Sequence, residues 1–230
     1  MKKDSQKAKK TKFRWYFRLG IVLVLVLLAL ALALTAYKPS RYAPVRVADQ
    51  NQISPYLTHN LLPAVFNGAQ LRESFEVVIT QEGLNDIIAR LHQPIKLHNI
   101  TLTDPQVLLT PQKKIILMAT AGARPVDLVA TIELNPTINQ QGLLNLHINS
   151  VALGAVNITS VAKLIGDKAY LDWLSSTGME PNNIAAQVCR SLLNDEPFEP
   201  VFEFGGKRLR VSRIDVSAEK ITALLTPAPD

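Results

Sequence analysis

Four histidines, one cysteine and a few clustered charges are the residues of this 230-residue chain whose types could do chemistry. A metal site needs several His, Cys or carboxylate ligands converging on one point, and that convergence usually leaves short, fixed spacings in the sequence. His59, His92, His98 and His147 show no such spacing. His147 alternates with Asn145 and Asn149, the pattern of a solvated strand face, and His59 reads as an ordinary exposed residue. Cys189 is alone, so it forms no internal disulfide. It falls among apolar helix positions and reads as buried filler rather than a reactive thiol. There is no G-x-S-x-G, no H-E-x-x-H and no phosphate-cradling glycine loop. Arg208 and Arg210 share a strand face beside Lys207, which suits a charged, aggregation-resistant edge better than a lipid-headgroup site. Asp215 and Glu219 are ordinary hairpin carboxylates. A hydrolase would need Ser, His and Asp brought together from distant positions. The sequence thus assigns no catalytic, cofactor-binding or metal-binding residue and leaves ligand-binding residues unidentified. It calls for no cofactor and points away from an enzyme.

The charge distribution excludes another class. The chain is net +6, but residues 1–18 hold eight Lys/Arg against Asp4. The remainder holds seventeen basic and eighteen acidic residues and is nearly neutral. It lacks the phosphate-neutralising surface that nucleic-acid binding needs. The basic tail precedes an uncharged run, Leu19 to Ala36, flanked by Trp15 and Tyr16 before it and Tyr37 and Tyr42 after it. As a helix this run spans about 27 Å, close to the ~30 Å hydrocarbon core of a bilayer. Aromatic flanks suit the headgroup zone, and the basic excess puts the N-terminus in the cytosol. An uncleaved anchor is favoured over a signal peptide, because the run exceeds the usual apolar region and no small-x-small cleavage site follows it cleanly. The organisation expected is a basic cytoplasmic tail (1–18), a transmembrane helix (19–36), a stalk (37–72) and an extracytoplasmic α+β domain (73–230).

The elements that would position any site follow from hydrophobic period. Pro39, Pro44, Pro55 and Pro63 keep the stalk from forming one long helix, while apolar residues between Gln52 and Phe66 suggest a short helix that docks on the domain. Phe75, Val77 and Ile79 alternate as a strand, and Thr80 then caps a helix over 81–92 whose apolar positions are Leu84, Ile87, Ile88 and Leu91. Strands follow to Ile148, with Asp104-Pro105 interrupting as at a bulge or edge and short links between, which means an antiparallel meander. Residues 158–176 and 181–193 return to a helical period. Residues 201–204, 209–216 and 220–225 read as three closing strands.

Several strand segments, Ile115 to Met118 among them, are apolar on both faces. A few modest helices need not cover both, and the remainder could form an apolar groove. Here a resemblance enters. Residues 75–91, FEVVITQEGLNDIIARL, resemble the strand and "LN" helix that open the domain in two groups of bacterial envelope proteins. These are the YpmS-like single-pass membrane proteins and the LmeA-like phospholipid-binding proteins. Residues 132–158, IELNPTINQQGLLNLHINSVALGAVNI, look most like the YpmS-like pattern, and the hairpin LRVSRIDVSAEKITALL fits either. The long basic tail and residues 177–200 depart from both. The resemblance implies a tubular lipid-binding-like fold, a curved antiparallel sheet packed with a few helices, and transfers no functional residue. The expectation is a membrane-anchored extracytoplasmic protein that handles lipid or another apolar envelope molecule. Its expected partners are membrane lipid and an envelope protein, not nucleic acid. The alternative is a non-enzymatic envelope scaffold.

Overall fold

A computed structural model describes residues 21–27, 29–47, 49, 52–71, 73–91, 94–97, 100–123, 126–166, 170 and 183–229. Within them the meander forms as its alternation and short links dictate. Strands β2 (Ile95–Leu97), β3 (Ile100–Leu109), β4 (Ile115–Ala123), β5 (Val126–Ile138), β6 (Leu144–Leu153) and β7 (Val156–Asn157) pair in chain order, all antiparallel. The β3–β4 turn closes with Thr110 N–H on Lys114 O (3.0 Å), Lys113 taking a positive φ of 61°. The Asp104-Pro105 interruption is a bulge: Thr103 opposes Thr120, Gln106 opposes Met118, and Asp104 sits at φ 50°. Proline cannot donate to a ladder, so the register steps around it.

The closing strands do not extend this sheet. β8 (Val201–Phe204), β9 (Lys207–Ser217) and β10 (Lys220–Pro227) join β1 (Phe75–Thr80) in a second antiparallel sheet of order β1-β10-β9-β8. The architecture is therefore α+β with two antiparallel sheets and a few helices, and the single curved sheet of the sequence reading is corrected to two. The reason is a long-range pairing: the free edge of β10 takes β1, with Phe75 opposite Leu225 and Thr80 opposite Lys220. No local pattern encodes that choice.

Three buried clusters hold the fold. A π-helical turn (Leu57–Leu61) runs into helix α1 (Leu62–Gln70), which covers the four-stranded sheet around Ala69, Val77, Leu209 and Leu225. Gly68 lets α1 press onto the Phe75 ring, where a Cβ would fall 2.1 Å from a ring carbon. Helix α2 (Gln81–Ala89) joins the two sheets, Leu84 and Ile88 packing among Val107, Leu109 and Val216. Thr80 caps it as expected, accepting the Gly83 N–H at 3.0 Å. The helix ends at Ala89, three residues short of expectation, and Leu91 is left 48% exposed. Helix α3 (Ile184–Asn194) lies beside β6, capped by Asn183. Backbone at 159–166 is also helical. The rest of the expected 158–176 helix, apart from residue 170, lies outside the described residues, as do Pro181 and Asn182.

The third cluster changes the picture of the stalk. Tyr42 is 6% exposed and packs with Met118 and Val129 on the meander's other face. Its hydroxyl donates to Asp104 O (2.7 Å) and shares a hydrogen bond with Thr120 Oγ1 (2.8 Å). Gln106 Oε1 accepts the Ala43 N–H at 2.7 Å, so residues 41–43 lie along the sheet instead of standing off from it. Residues 21–27 and 29–35 are helical. The tail 1–18, Leu19, Gly20 and Leu28 lie outside the described residues. Among the described residues no helix is long and apolar enough to cross a membrane.

Candidate functional site

Directly opposed residues of antiparallel strands point to the same face. Leu117 opposes Ile132, which opposes Val151; Ala119 opposes Ala130, which opposes Leu153; Ala121 opposes Leu128. One face of β4–β6 is thus an apolar strip without a polar interruption. A bulge between Glu133 and Leu134 keeps it so, because Leu134 opposes Ile148 while Ile132 opposes Val151.

One end of this face is sealed. β2 pairs only with the start of β3, which leaves the later β3 backbone without a neighbouring strand. Side chains of α2 take the strand's place. Asn85, 6% exposed, donates from Nδ2 to Val107 O (2.8 Å) and accepts the Val107 N–H on Oδ1 (2.8 Å). Gln81 Oε1 accepts the Leu109 N–H at 2.7 Å. Buried backbone groups without partners cost about 1–3 kcal/mol each, so these contacts let α2 lie on the edge and cover the face. The Asn of the "LN" pair is therefore a backbone clamp. Sequence reading missed it because it followed the apolar stripe. The available signal was a polar residue inside that stripe.

The other end is less deeply buried. Leu128, Ala130, Ile132, Val151 and Leu153 are half-buried, and none is among the residues packed on the three buried clusters. This end runs to the β6–β7 turn. Gly154 there has φ +57°, and a Cβ would meet Thr35 O at 2.2 Å, so both conformation and space require glycine. Ala155 N–H donates to Leu34 O at 2.9 Å, a carbonyl of the apolar helix's last turn that also accepts the Tyr37 N–H at 3.3 Å. The apolar strip and the end of the apolar run therefore meet at one turn.

Polar groupings elsewhere are structural in geometry. His147 Nδ1 donates to Asp195 Oδ1 (2.7 Å) and Lys163 Nζ to Asp195 Oδ2 (3.3 Å). Burial works to raise the Asp195 carboxyl, and these two hydrogen bonds outweigh it and hold it below the ordinary carboxylate value. Ser191 lies in the same neighbourhood, but it is fully buried and its oxygen accepts the Leu146 N–H at 2.9 Å. A nucleophile needs solvent and substrate access, so this His–Asp pair does not complete a triad with Ser191. Cys189 is half-buried, and burial pushes its thiol up, away from thiolate reactivity. His59 is exposed, its Nδ1 near Pro55 O (3.0 Å); His92 and His98 lie outside the described residues. Among the described residues no group of three or more His, Cys, Asp or Glu side chains is placed to hold a metal.

Of the basic strand residues, Arg210 pairs with Glu199 and Arg208 donates to Pro229 O at 2.7 Å. Asp215 pairs with Lys113 (3.1 Å), and Glu219 sits in the β9–β10 turn at φ 69°. Lys113, Asp215, Arg213 and Glu76 line a shallow open depression of about 510 Å³ with Ile214 and Thr222. Its two cations are matched, Arg213 by Glu76 at 2.6 Å, so it offers no net charge to a ligand. Comparison of the chain with protein families, with curated proteins and with solved structures finds no match.

Proposed function

We propose that the protein is a single-pass membrane protein, N-terminus in the cytosol, whose extracytoplasmic domain binds or handles lipid or another apolar envelope molecule. The apolar strip of β4–β6 carries this reading. It is uninterrupted, only half-buried at its far end, and ends at the turn that touches the last turn of the apolar run. The anchor itself rests on the uncharged run from Leu19 to Ala36. Its described large side chains are exposed from Ile21 (46%) to Leu32 (63%), which suits a helix apolar all round that is surrounded by lipid. The resemblance to YpmS-like and LmeA-like proteins supports the same reading. Energetically a strip of this kind is enough: about ten methylenes at ~0.8 kcal/mol each match the ~8 kcal/mol of a micromolar complex, before ordering costs.

The test is photo-crosslinking of the full chain in phosphatidylglycerol vesicles whose acyl chains carry a diazirine. Labelled peptides should include residues 128–132 and 151–153. Labelling confined to residues 19–36 would overturn the lipid-binding strip. Capture of an envelope protein at the strip, in intact cells, would favour the scaffold alternative.

A further inference from the structure

Helix 159–166 carries its polarity inside out. Thr159, Ala162, Lys163 and Gly166 face the domain, and Val161, Leu164 and Ile165 face outward with 55%, 75% and 62% of their surface exposed. Leu164 is the most exposed large apolar side chain among the described residues. The inward face is fixed by specific contacts. Thr159 Oγ1 accepts the Val151 N–H at 2.9 Å, and Lys163 reaches Asp195. A Cβ on Gly166 would lie 2.5 Å from a Leu193 methyl, so α3 packs close there. The outward stripe therefore follows from how the helix is docked, and turning it inward would break each of these contacts.

Its position says what meets the stripe. The helix starts two residues after β7, and the turn before β7 is hydrogen-bonded to Leu34 at the end of the apolar run. We infer that helix 159–166 is a second membrane contact, lying in the interface of the leaflet from which the N-terminal helix emerges, with Val161, Leu164 and Ile165 entering the acyl boundary. This rests on the anchored reading above. A helix with an apolar stripe at i, i+3 and i+4 beside a membrane surface gains by burying that stripe in the headgroup–acyl boundary. The one cation of its described face is turned inward onto Asp195, so the contact is apolar and should hardly depend on salt. Two attachment points fix the domain's tilt and hold the half-buried end of the β4–β6 strip towards the lipid.

The experiment uses the full chain with Cys189→Ser, reconstituted in phosphatidylcholine–phosphatidylglycerol vesicles. A single cysteine is placed by Leu164→Cys or, as reference on the β3–β4 turn, by Gln112→Cys, and labelled with an environment-sensitive dye. Both positions are exposed, so the fold tolerates the change. Expected is a blue-shifted emission at position 164 that shallow doxyl-lipid quenches and high salt leaves in place, with position 112 reporting water. Alkaline carbonate extraction runs in parallel. Retention of the chain with a water-exposed position 164 overturns this inference alone. Release of the chain by carbonate overturns the anchor and this inference together.

Discussion

The four-stranded sheet and the half-buried strip of the six-stranded sheet carry similar side chains, and the fold treats them differently. Leu209 and Val77 keep 1% and 3% of their surface under α1. Ile132 and Val151, equally apolar and centred in longer strands, stay half-buried. The difference lies in what is laid on top. α1 approaches the first sheet closely because Gly68 meets the Phe75 ring without a Cβ. α2 covers the start of the second because Asn85 and Gln81 satisfy the β3 edge it must cross. Residues 128, 130 and 132 join none of the three buried clusters. Apolar strand sequence thus requires a cover without supplying one.

The sharpest test sets one sheet against the other. Leu209→Ala should lower stability by about 3 kcal/mol, within the usual 2–5 for truncating a buried leucine. Ile132→Ala should cost about 1 kcal/mol, since much of its transfer energy is not realised on folding. Urea unfolding of the full chain in micelles measures both, and equal losses would mean that the strip is core rather than site. Next in size, Asn85→Ala strands a buried N–H and a buried carbonyl on Val107 and should cost about 2–3 kcal/mol by the same measurement. A loss under ~1 kcal/mol would mean that α2 does not seal the sheet edge.

The smallest effect concerns how the segment before α1 is moored. Ser54, 3% exposed, donates from Oγ to Asp86 Oδ2 at 2.5 Å and accepts the Leu57 N–H. That hydrogen bond, with help from Arg90, holds the Asp86 carboxyl below the ordinary carboxylate value. A lowered folded value means stability that is complete above the ordinary value and is lost as pH falls through the lowered one. Ser54→Ala should therefore cost about 1–2 kcal/mol at neutral pH, and the gap to wild type should narrow on acidification through the carboxylate range. A gap that persists in acid would assign the effect to packing or the Leu57 contact instead.

Much of the fold was legible because it is local. The Thr80 cap, the Asp104-Pro105 interruption, the hairpin at Glu219 and the alternation of β5 and β6 each depend on residues within a few positions of one another. The site was legible only in outline, as a surplus of apolar strand. Asn85 reads as a break in an apolar stripe until β3 is placed beside it, and Gly154 reads as an ordinary turn glycine until Thr35 lies against it.

By itself the sequence determined the period of each element, the neutral domain behind a basic tail, and the apolar run that gives the chain its membrane reading. The tertiary structure decided that the strands divide into two sheets, that Tyr42 lies buried on one of them, and that helix 159–166 turns its apolar stripe outward. The physical reason is range. Period and capping depend on neighbours along the chain, whereas burial depends on which distant surfaces complete each other's backbone hydrogen bonds and fill each other's gaps.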